Sequence, residues 1–257
     1  MASHGRKIFV LNPFGTDKYD DVIKNLVEPV KLADTEIVVD HLERGPDYCD
    51  FWTYMQLLTP DVIDRVYRAE KEGYDGVFVA CGYEPGVRAA REIVDIPVVG
   101  AIIPTVLIAH QLGARFSVFY NSKMSSTNSW DILRDYGLQD KCVSIKSVDL
   151  SLREILAAPQ LVDQRIVERS RQVLGEGAEV IILACTIVAA YFTRKVPADL
   201  SKMVYLDCNI CAFKYLEMMV ELYRRTGLKV SRIGYYAKPQ DANRQDFENF
   251  RTIYGYK

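Results

Sequence analysis

The sequence predicts an α/β protein made of two similar units, each with a mostly parallel sheet. Short apolar, β-branched segments alternate along the 257 residues with amphipathic segments of helical period. Several of the apolar segments contain no polar position, as expected for strands that helices cover on both faces. Hydrophobic residues make up 49% and charged residues 26%, which is the composition of an ordinary globular protein.

The elements follow one another in a regular order. Strands are predicted at residues 7–11, 36–40, 76–80, 98–101, 116–120, 142–145, 180–184 and 203–207. Helices are predicted at residues 16–32, 59–72, 87–94, 104–112, 129–136, 164–176 and 210–226, with a helix-compatible run at 187–192. Thr59 and Pro60 suit the N-cap and the first helical position, so the second helix is predicted to begin there.

The two halves of the chain contain matching segments. Cys81 and Cys185 each end a segment that reads Glu-Gly, then an acidic residue two positions later, an apolar strand and finally Ala-Cys. Upstream of each, a further strand is followed by asparagine, Asn12 in the first half and Asn121 in the second. Two units related by a pseudo-two-fold axis would bring these four strand ends to one cleft, where open α/β sheets bind ligands.

A pair of facing cysteines suits racemisation. A proton must leave a stereocentre from one face and return on the other, which needs two groups, one protonated and one not. The ordinary thiol pKa is about 8.5, and helix N-termini lower it. Cys81 and Cys185 each precede a predicted helix. A single cysteine at a strand end is most often a buried apolar residue, but the matched pair favours acid–base chemistry.

The remaining cysteines and histidines do not form a recognisable metal motif. Cys49 and Cys142 are interpreted as structural, and Cys208 and Cys211 as either a redox pair or packing residues. The histidines do not have the spacing of zinc ligands, so no metal is expected; they are His4, His41 and His110.

Other protein classes are disfavoured. The net charge of −2 provides no basic excess for nucleic acid. No apolar segment approaches the roughly 20 residues that a membrane span requires. No Gly-x-Gly-x-x-Gly follows a strand, which disfavours flavin and nicotinamide cofactors. The first seven residues lack the apolar core of a signal peptide, so a cytoplasmic location is expected.

The motifs resemble those of the aspartate/glutamate/hydantoin racemase superfamily, and within it the hydantoin and allantoin racemase branch. The strand 7–11 with Asn12-Pro13 is similar to the opening of that branch. Residues 81–86 resemble its Cys-Phe-x-Asp-Pro-Gly loop, and residues 177–186 resemble its second-cysteine motif. Further similarity at 95–100 and 114–118 extends the resemblance over nearly the whole chain.

The resemblance implies two flavodoxin-like domains, no cofactor, a small-molecule substrate, a homo-oligomer and catalytic thiols at Cys81 and Cys185. The expected division is residues 1–100 with 208–257 as the first domain and 101–207 as the second. Residues expected to contact substrate, from the resemblance and from their places beside the strand ends, are Asn12, Phe14, Gly82, Tyr83, Tyr120, Asn121, Thr186 and Ile187.

This chain departs from the family pattern beside the cysteines. Gly82 stands where phenylalanine is usual, Glu84 replaces aspartate, Ile187 replaces glycine and Asn121 replaces threonine. The leading hypothesis is a cofactor-independent racemase or epimerase of a hydantoin-like ureide or an amino-acid derivative. Two alternatives stay open: a cis–trans isomerase or lyase with Cys81 as nucleophile, and a non-enzymatic protein that binds a small ligand.

Overall fold

The computed structural model describes residues 5–256, apart from the side chains of Ser125 and Ser126; His4 lies outside that range. Two four-stranded parallel sheets, each flanked by helices, confirm the predicted α/β class and its two flavodoxin-like units. The strands are β1 (Arg6–Asn12), β2 (Thr35–His41), β3 (Gly76–Val79), β4 (Val98–Val99), β5 (Phe116–Tyr120), β6 (Cys142–Ser147), β7 (Val180–Leu183) and β8 (Val204–Asp207).

The helices connect these strands. They are α1 (Asp20–Val27), α2 (Trp52–Lys71), α3 (Val87–Ile93), α4 (Ile102–Leu112), α5 (Met124–Asp135), α6 (Leu152–Ala157), α7 (Gln160–Gly175), α8 (Thr186–Tyr191), α9 (Cys208–Thr226), α10 (Pro239–Ala242) and α11 (Arg244–Ile253). Every predicted strand and helix is present, with ends displaced by up to seven residues, while α6, α10 and α11 were not predicted. No helix in residues 5–256 is long and apolar enough to span a membrane.

The two sheets share one strand order. The first is ordered β2-β1-β3-β4 and the second β6-β5-β7-β8. In each sheet, the strand at the second position pairs with the strand that leads to a cysteine, β1 with β3 and β5 with β7. Every residue of these four strands is buried except Lys7 of β1, which is partly buried. All these strands run parallel, so their carboxyl ends lie at one edge of each sheet. The pseudo-two-fold axis and the domain division remain predictions.

Helix α2 begins earlier than predicted. It starts at Trp52, and Pro60 lies inside it rather than at its first turn. Met55 and Leu58 are buried, so the apolar face extends to the N-terminal side of the proline and packing stabilises that turn. The Thr59 hydroxyl donates to the Met55 carbonyl at 2.7 Å instead of capping a helix. The predicted start at Thr59 is therefore wrong.

The chain after α9 folds back against the first sheet's helices. Arg251 of α11 is nearly buried and pairs with Asp64 of α2 at 2.6 Å. Arg232 donates to the backbone carbonyls of Arg91 and Glu92, at the end of α3. These contacts attach the chain after α9, in which no helix was predicted, to α2 and α3.

Candidate active site

One cavity at the carboxyl ends of the strands contains residues from both sheets. Its empty space, counted out to open solvent, is about 340 Å³. Nine of the ten residues expected in the site line it: Phe14, Cys81, Gly82, Tyr83, Tyr120, Asn121, Cys185, Thr186 and Ile187. Three residues that sequence analysis did not place there also line it: Cys49, Asp50 and Leu152.

Cys81 follows β3 and begins a turn. The side chain of Glu84 connects this turn to the start of α4. The Glu84 amide donates to the Cys81 carbonyl at 3.1 Å, and Glu84 has a positive φ of 50°. The Glu84 carboxylate accepts hydrogen bonds from the amides of Ile102 and Ile103 at the start of α4. Helix α3 begins only at Val87, so Cys81 is not placed directly at a helix N-terminus.

Cys185 is the N-cap residue of α8 and keeps part of its surface exposed. Burial raises the pKa of its thiol to about 12, although hydrogen bonds from the amides of Val188 and Ile187 act in the opposite direction. The expected lowering by the helix N-terminus is thus present but smaller than the effect of desolvation. The thiol of Cys185 is protonated at neutral pH.

Cys49 lies in the loop between β2 and α2, and its sulfur is 3.9 Å from that of Cys81. The hydrogen bond with Cys81, together with burial, raises the pKa of Cys49 well above its usual range. Cys49 therefore remains a thiol and can donate to a Cys81 thiolate. From the sequence alone Cys49 is interpreted as structural, because a loop cysteine without a partner motif provides no periodic signal.

Asp50 brings a carboxylate into the cavity beside the thiols. Asn121 of the second unit donates to it from Nδ2 at 3.1 Å. Burial raises the pKa of Asp50. Among the residues described, the cavity lining includes no lysine, arginine or histidine. The site is therefore suited to a ligand that donates hydrogen bonds and has no carboxylate of its own.

Asn12, the remaining expected contact, does not line the cavity. Its side chain is buried and donates to the Thr16 carbonyl at 2.8 Å and to Asp20 at 2.7 Å. It therefore holds the loop that carries Phe14, which does reach the cavity. Asn12 was expected to contact ligand because it ends its strand as Asn121 does, but its amide turns toward the start of α1.

Other groups with functional potential lie outside the cavity. Asp20, Asp40 and His41 place ligand atoms within 4.8 Å of one another, which is the one metal-compatible group among the described residues. His41 is already hydrogen-bonded to Asp20 at 2.8 Å. Cys208 and Cys211 lie at the start of α9, both buried, and line no part of the cavity.

Known proteins share this fold and this length. A family model described as Asp/Glu/Hydantoin racemase matches residues 8–216. A hydantoin racemase of Pseudomonas sp. (strain NS671) is 30% identical over 235 residues, 91% of this chain and 92% of that protein. The chain belongs to the Asp/Glu/hydantoin racemase family and is accordingly an enzyme, an isomerase of the racemase type.

Solved structures agree with this assignment. The allantoin racemase from Pseudomonas fluorescens superimposes with a TM-score of 0.81 at 25% identity, covering 91% of this chain and 97% of that one. The allantoin racemase from Klebsiella pneumoniae has a TM-score of 0.82 at 24% identity, covering 91% and 94%. A glutamate racemase from Francisella tularensis shares the fold at 15% identity, with a TM-score of 0.60 and 89% and 85% covered.

Proposed function

We propose that this protein racemises a small neutral ureide, of the hydantoin or allantoin type, by proton transfer between Cys81 and Cys185. The observation that carries the proposal is that both thiols line one cavity. The relatives named hydantoin racemase and allantoin racemase support the same substrate class.

The surroundings of the two thiols assign their starting roles. Cys185, with a pKa of about 12, begins as the acid. Cys81 begins as the base, because the Cys49 thiol beside it stabilises a thiolate. The Cys81 thiolate removes the proton from the carbon next to the substrate carbonyl, and the Cys185 thiol delivers its proton to the opposite face. Turnover leaves the two roles exchanged, ready for the other enantiomer.

The charge of the cavity favours a ureide over an amino acid. Apart from the Cys81 thiolate, Asp50 is the one charged side chain in the described lining. A carboxylate accepts hydrogen bonds from ureide N–H groups, whereas it repels the carboxylate of a free amino acid at short range. We therefore choose the ureide over the amino-acid derivative that the sequence left open.

This scheme requires no cofactor, because the carbonyl beside the stereocentre itself delocalises the charge left by the departing proton. Tyr120 and Tyr83, whose rings lie 6.3 Å apart, provide an apolar wall that limits water at the reacting carbon. A homo-oligomeric state and a cytoplasmic location remain predictions from the resemblance and the sequence.

The test is to incubate enantiopure hydantoins, enantiopure allantoin and free amino acids with the protein in deuterated water. We expect the ureides to lose optical activity while deuterium enters at the stereocentre, and the amino acids to stay unchanged. Intact-protein mass spectrometry serves as the second readout. A stable substrate adduct on Cys81 would favour the isomerase or lyase alternative, and turnover of amino acids alone would refute the substrate class.

A further inference from the structure

We propose that Cys49 and Cys81 form a reversible oxidation site, in which a hydroperoxide converts the two thiols to a disulfide. The two sulfur atoms lie 3.9 Å apart, and both residues line the cavity. Besides donating a hydrogen bond to Cys81, a third thiol at this distance can react with an oxidised Cys81 sulfur. The disulfide itself does not depend on the proposed function, but the loss of activity described below does.

The backbone around Cys49 allows the bond to form. A disulfide has a sulfur–sulfur distance of about 2.05 Å, so the two sulfurs must approach by about 2 Å. Cys49 lies in the irregular segment between β2 and α2, outside any helix or strand. Cys81 is fixed more firmly, since its amide donates to the Val79 carbonyl at 2.8 Å and its carbonyl accepts from Glu84. We therefore expect Cys49 and its loop to move toward Cys81 when the disulfide forms.

The two thiols have different chemical roles in the oxidation. Cys49 is held as a thiol by its hydrogen bond to Cys81 and by burial, which raise its pKa. The attacking group is accordingly the Cys81 thiolate, because nucleophilic attack on a peroxide requires the deprotonated form. Cys49 then acts as the resolving thiol.

The electrons and atoms balance with hydrogen peroxide as the oxidant. The Cys81 thiol first releases its proton. The thiolate then forms an S–O bond and the O–O bond breaks, so sulfur loses two electrons and hydroxide leaves with them. This hydroxide takes up the proton that Cys81 released and becomes the first water. Cys49 then attacks the sulfenic sulfur, the S–S bond forms and the S–O bond breaks. The leaving hydroxide takes the Cys49 proton and departs as water. Overall, two thiols and one peroxide give one disulfide and two waters.

The disulfide protects the Cys81 sulfur from irreversible oxidation. Without a resolving partner, a sulfenic acid on Cys81 is open to further oxidation to the sulfinic and sulfonic acids, neither of which a thiol reductant reverses. With Cys49 in contact, the sulfur is held as a disulfide that a thiol reductant opens. While the disulfide persists, Cys81 cannot serve as the base and racemisation stops.

The experiment treats the full-length protein with hydrogen peroxide, blocks remaining thiols with N-ethylmaleimide and maps peptides without reduction. We expect a cross-linked peptide pair containing Cys49 and Cys81, lighter by about two mass units for the two hydrogens lost. Racemase activity should fall as the cross-link forms and return with dithiothreitol. A cross-link between Cys81 and Cys185, or the absence of any cross-link to Cys81, overturns the proposal.

Two variants test the role of Cys49 as the resolving thiol. In Cys49→Ser we expect no cross-link, and activity lost to peroxide should not return with dithiothreitol, because Cys81 proceeds to higher oxides. Cys142→Ser is the matched control, since Cys142 is a partly buried cysteine on β6 outside the cavity; it should behave as the wild type. Dithiothreitol recovery in Cys49→Ser equal to that of the wild type would refute the role of Cys49.

The outcomes for the two proposals are separable. A Cys49–Cys81 cross-link that leaves racemisation intact contradicts the assigned role of Cys81 and retains the oxidation site. Racemisation that depends on Cys81, in a protein that forms no cross-link, retains the proposed function and rejects the oxidation site.

Discussion

The hydroxyl of Tyr120 donates a hydrogen bond to the carbonyl of Gly82 at 3.2 Å, joining the end of β5 in the second sheet to the loop after β3 in the first. A side chain at position 82 has no room in this arrangement. A Cβ there would lie 2.2 Å from the Ala184 carbonyl oxygen and 2.9 Å from the Tyr120 ring. The glycine that departs from the family pattern is therefore required by the contact between the two units.

Gly82→Ala is expected to lower racemase activity by about 10²-fold, because the methyl group must displace backbone beside Cys185 and move the two thiols apart. Gly175→Ala is the matched control, since a Cβ at that position on α7 meets no atom within 4 Å. We expect this control to retain full activity. The measurement is kcat/KM for racemisation, and equal values for the two variants would contradict the steric argument.

Cys81→Ser and Cys185→Ser should each lower racemisation by about 10²–10⁴-fold, since each removes one of the two proton-transfer groups. Each variant is expected to keep one-sided exchange of the substrate proton in deuterated water, with the configuration retained. Chiral chromatography together with NMR distinguishes exchange from inversion. Wild-type racemisation by either variant would show that two thiols are not required.

Asp50→Asn should lower the pKa of the Cys185 thiol, because the Asp50 carboxylate is among the groups that raise it, after burial. Removing a negative charge favours the thiolate, so the alkylation curve of Cys185 should shift to lower pH. Mass spectrometry of iodoacetamide-treated protein over a pH series measures this shift. Glu168→Gln, an acid outside the cavity lining, is the control and should leave the curve in place. A curve that moves upward in Asp50→Asn would refute this electrostatic coupling.

Glu84→Gln is expected to change how stability depends on pH. Burial raises the pKa of Glu84, although the Ile103 amide, Arg91 and other neighbours act in the opposite direction. Because the folded pKa is higher than the unfolded one, this group contributes stability below the ordinary carboxyl pKa of about 4.3. The contribution decreases as pH rises from there through the raised folded value.

The glutamine variant keeps an acceptor for the α4 amides but does not titrate. The unfolding free energy of the wild type relative to Glu84→Gln should therefore be lower at about pH 8 than at about pH 4. Urea denaturation at both pH values provides the comparison. A difference that stays constant, or that grows in favour of the wild type at the higher pH, contradicts the raised pKa.

Arg251→Met should destabilise the protein by about 2–4 kcal/mol, because Asp64 then stays buried with only Arg68 as its charged partner. Arg165→Met removes one member of an exposed pair with Glu168 and should have little effect. Chemical denaturation measures both. Similar small effects would show that α11 is not fixed to α2 through this pair.

The sequence predicted every strand, because apolar segments such as 180–183 are too short for buried helices. It also predicted that the strands before Cys81 and Cys185 are equivalent, and the shared strand order agrees with that. Helix starts were harder to predict. Pro60 is a frequent first helical residue, but the buried face that includes Met55 extends α2 by two turns on its N-terminal side.

The parts of the site that sequence analysis missed come from a loop. Cys49 and Asp50 follow β2 without periodicity, and only the fold brings them beside Cys81 and Asn121. Asn12 shows the opposite error, because a shared position at a strand end does not determine where a side chain points. The tail that contains Arg251 has mostly polar residues and is held by ion pairs, which leave little pattern in the sequence.

Thermodynamics limits how far the different surroundings of the two thiols can change the kinetics of the two enantiomers. Cys49 contacts Cys81, while Asp50 acts on Cys185. The two enantiomers of a substrate with a single stereocentre have equal free energies, so kcat/KM must be the same in both directions however different the thiols are. For the proposed racemase, the different surroundings of the thiols can therefore change kcat and KM only by the same factor. The enantiomer with the higher kcat must also have the higher KM.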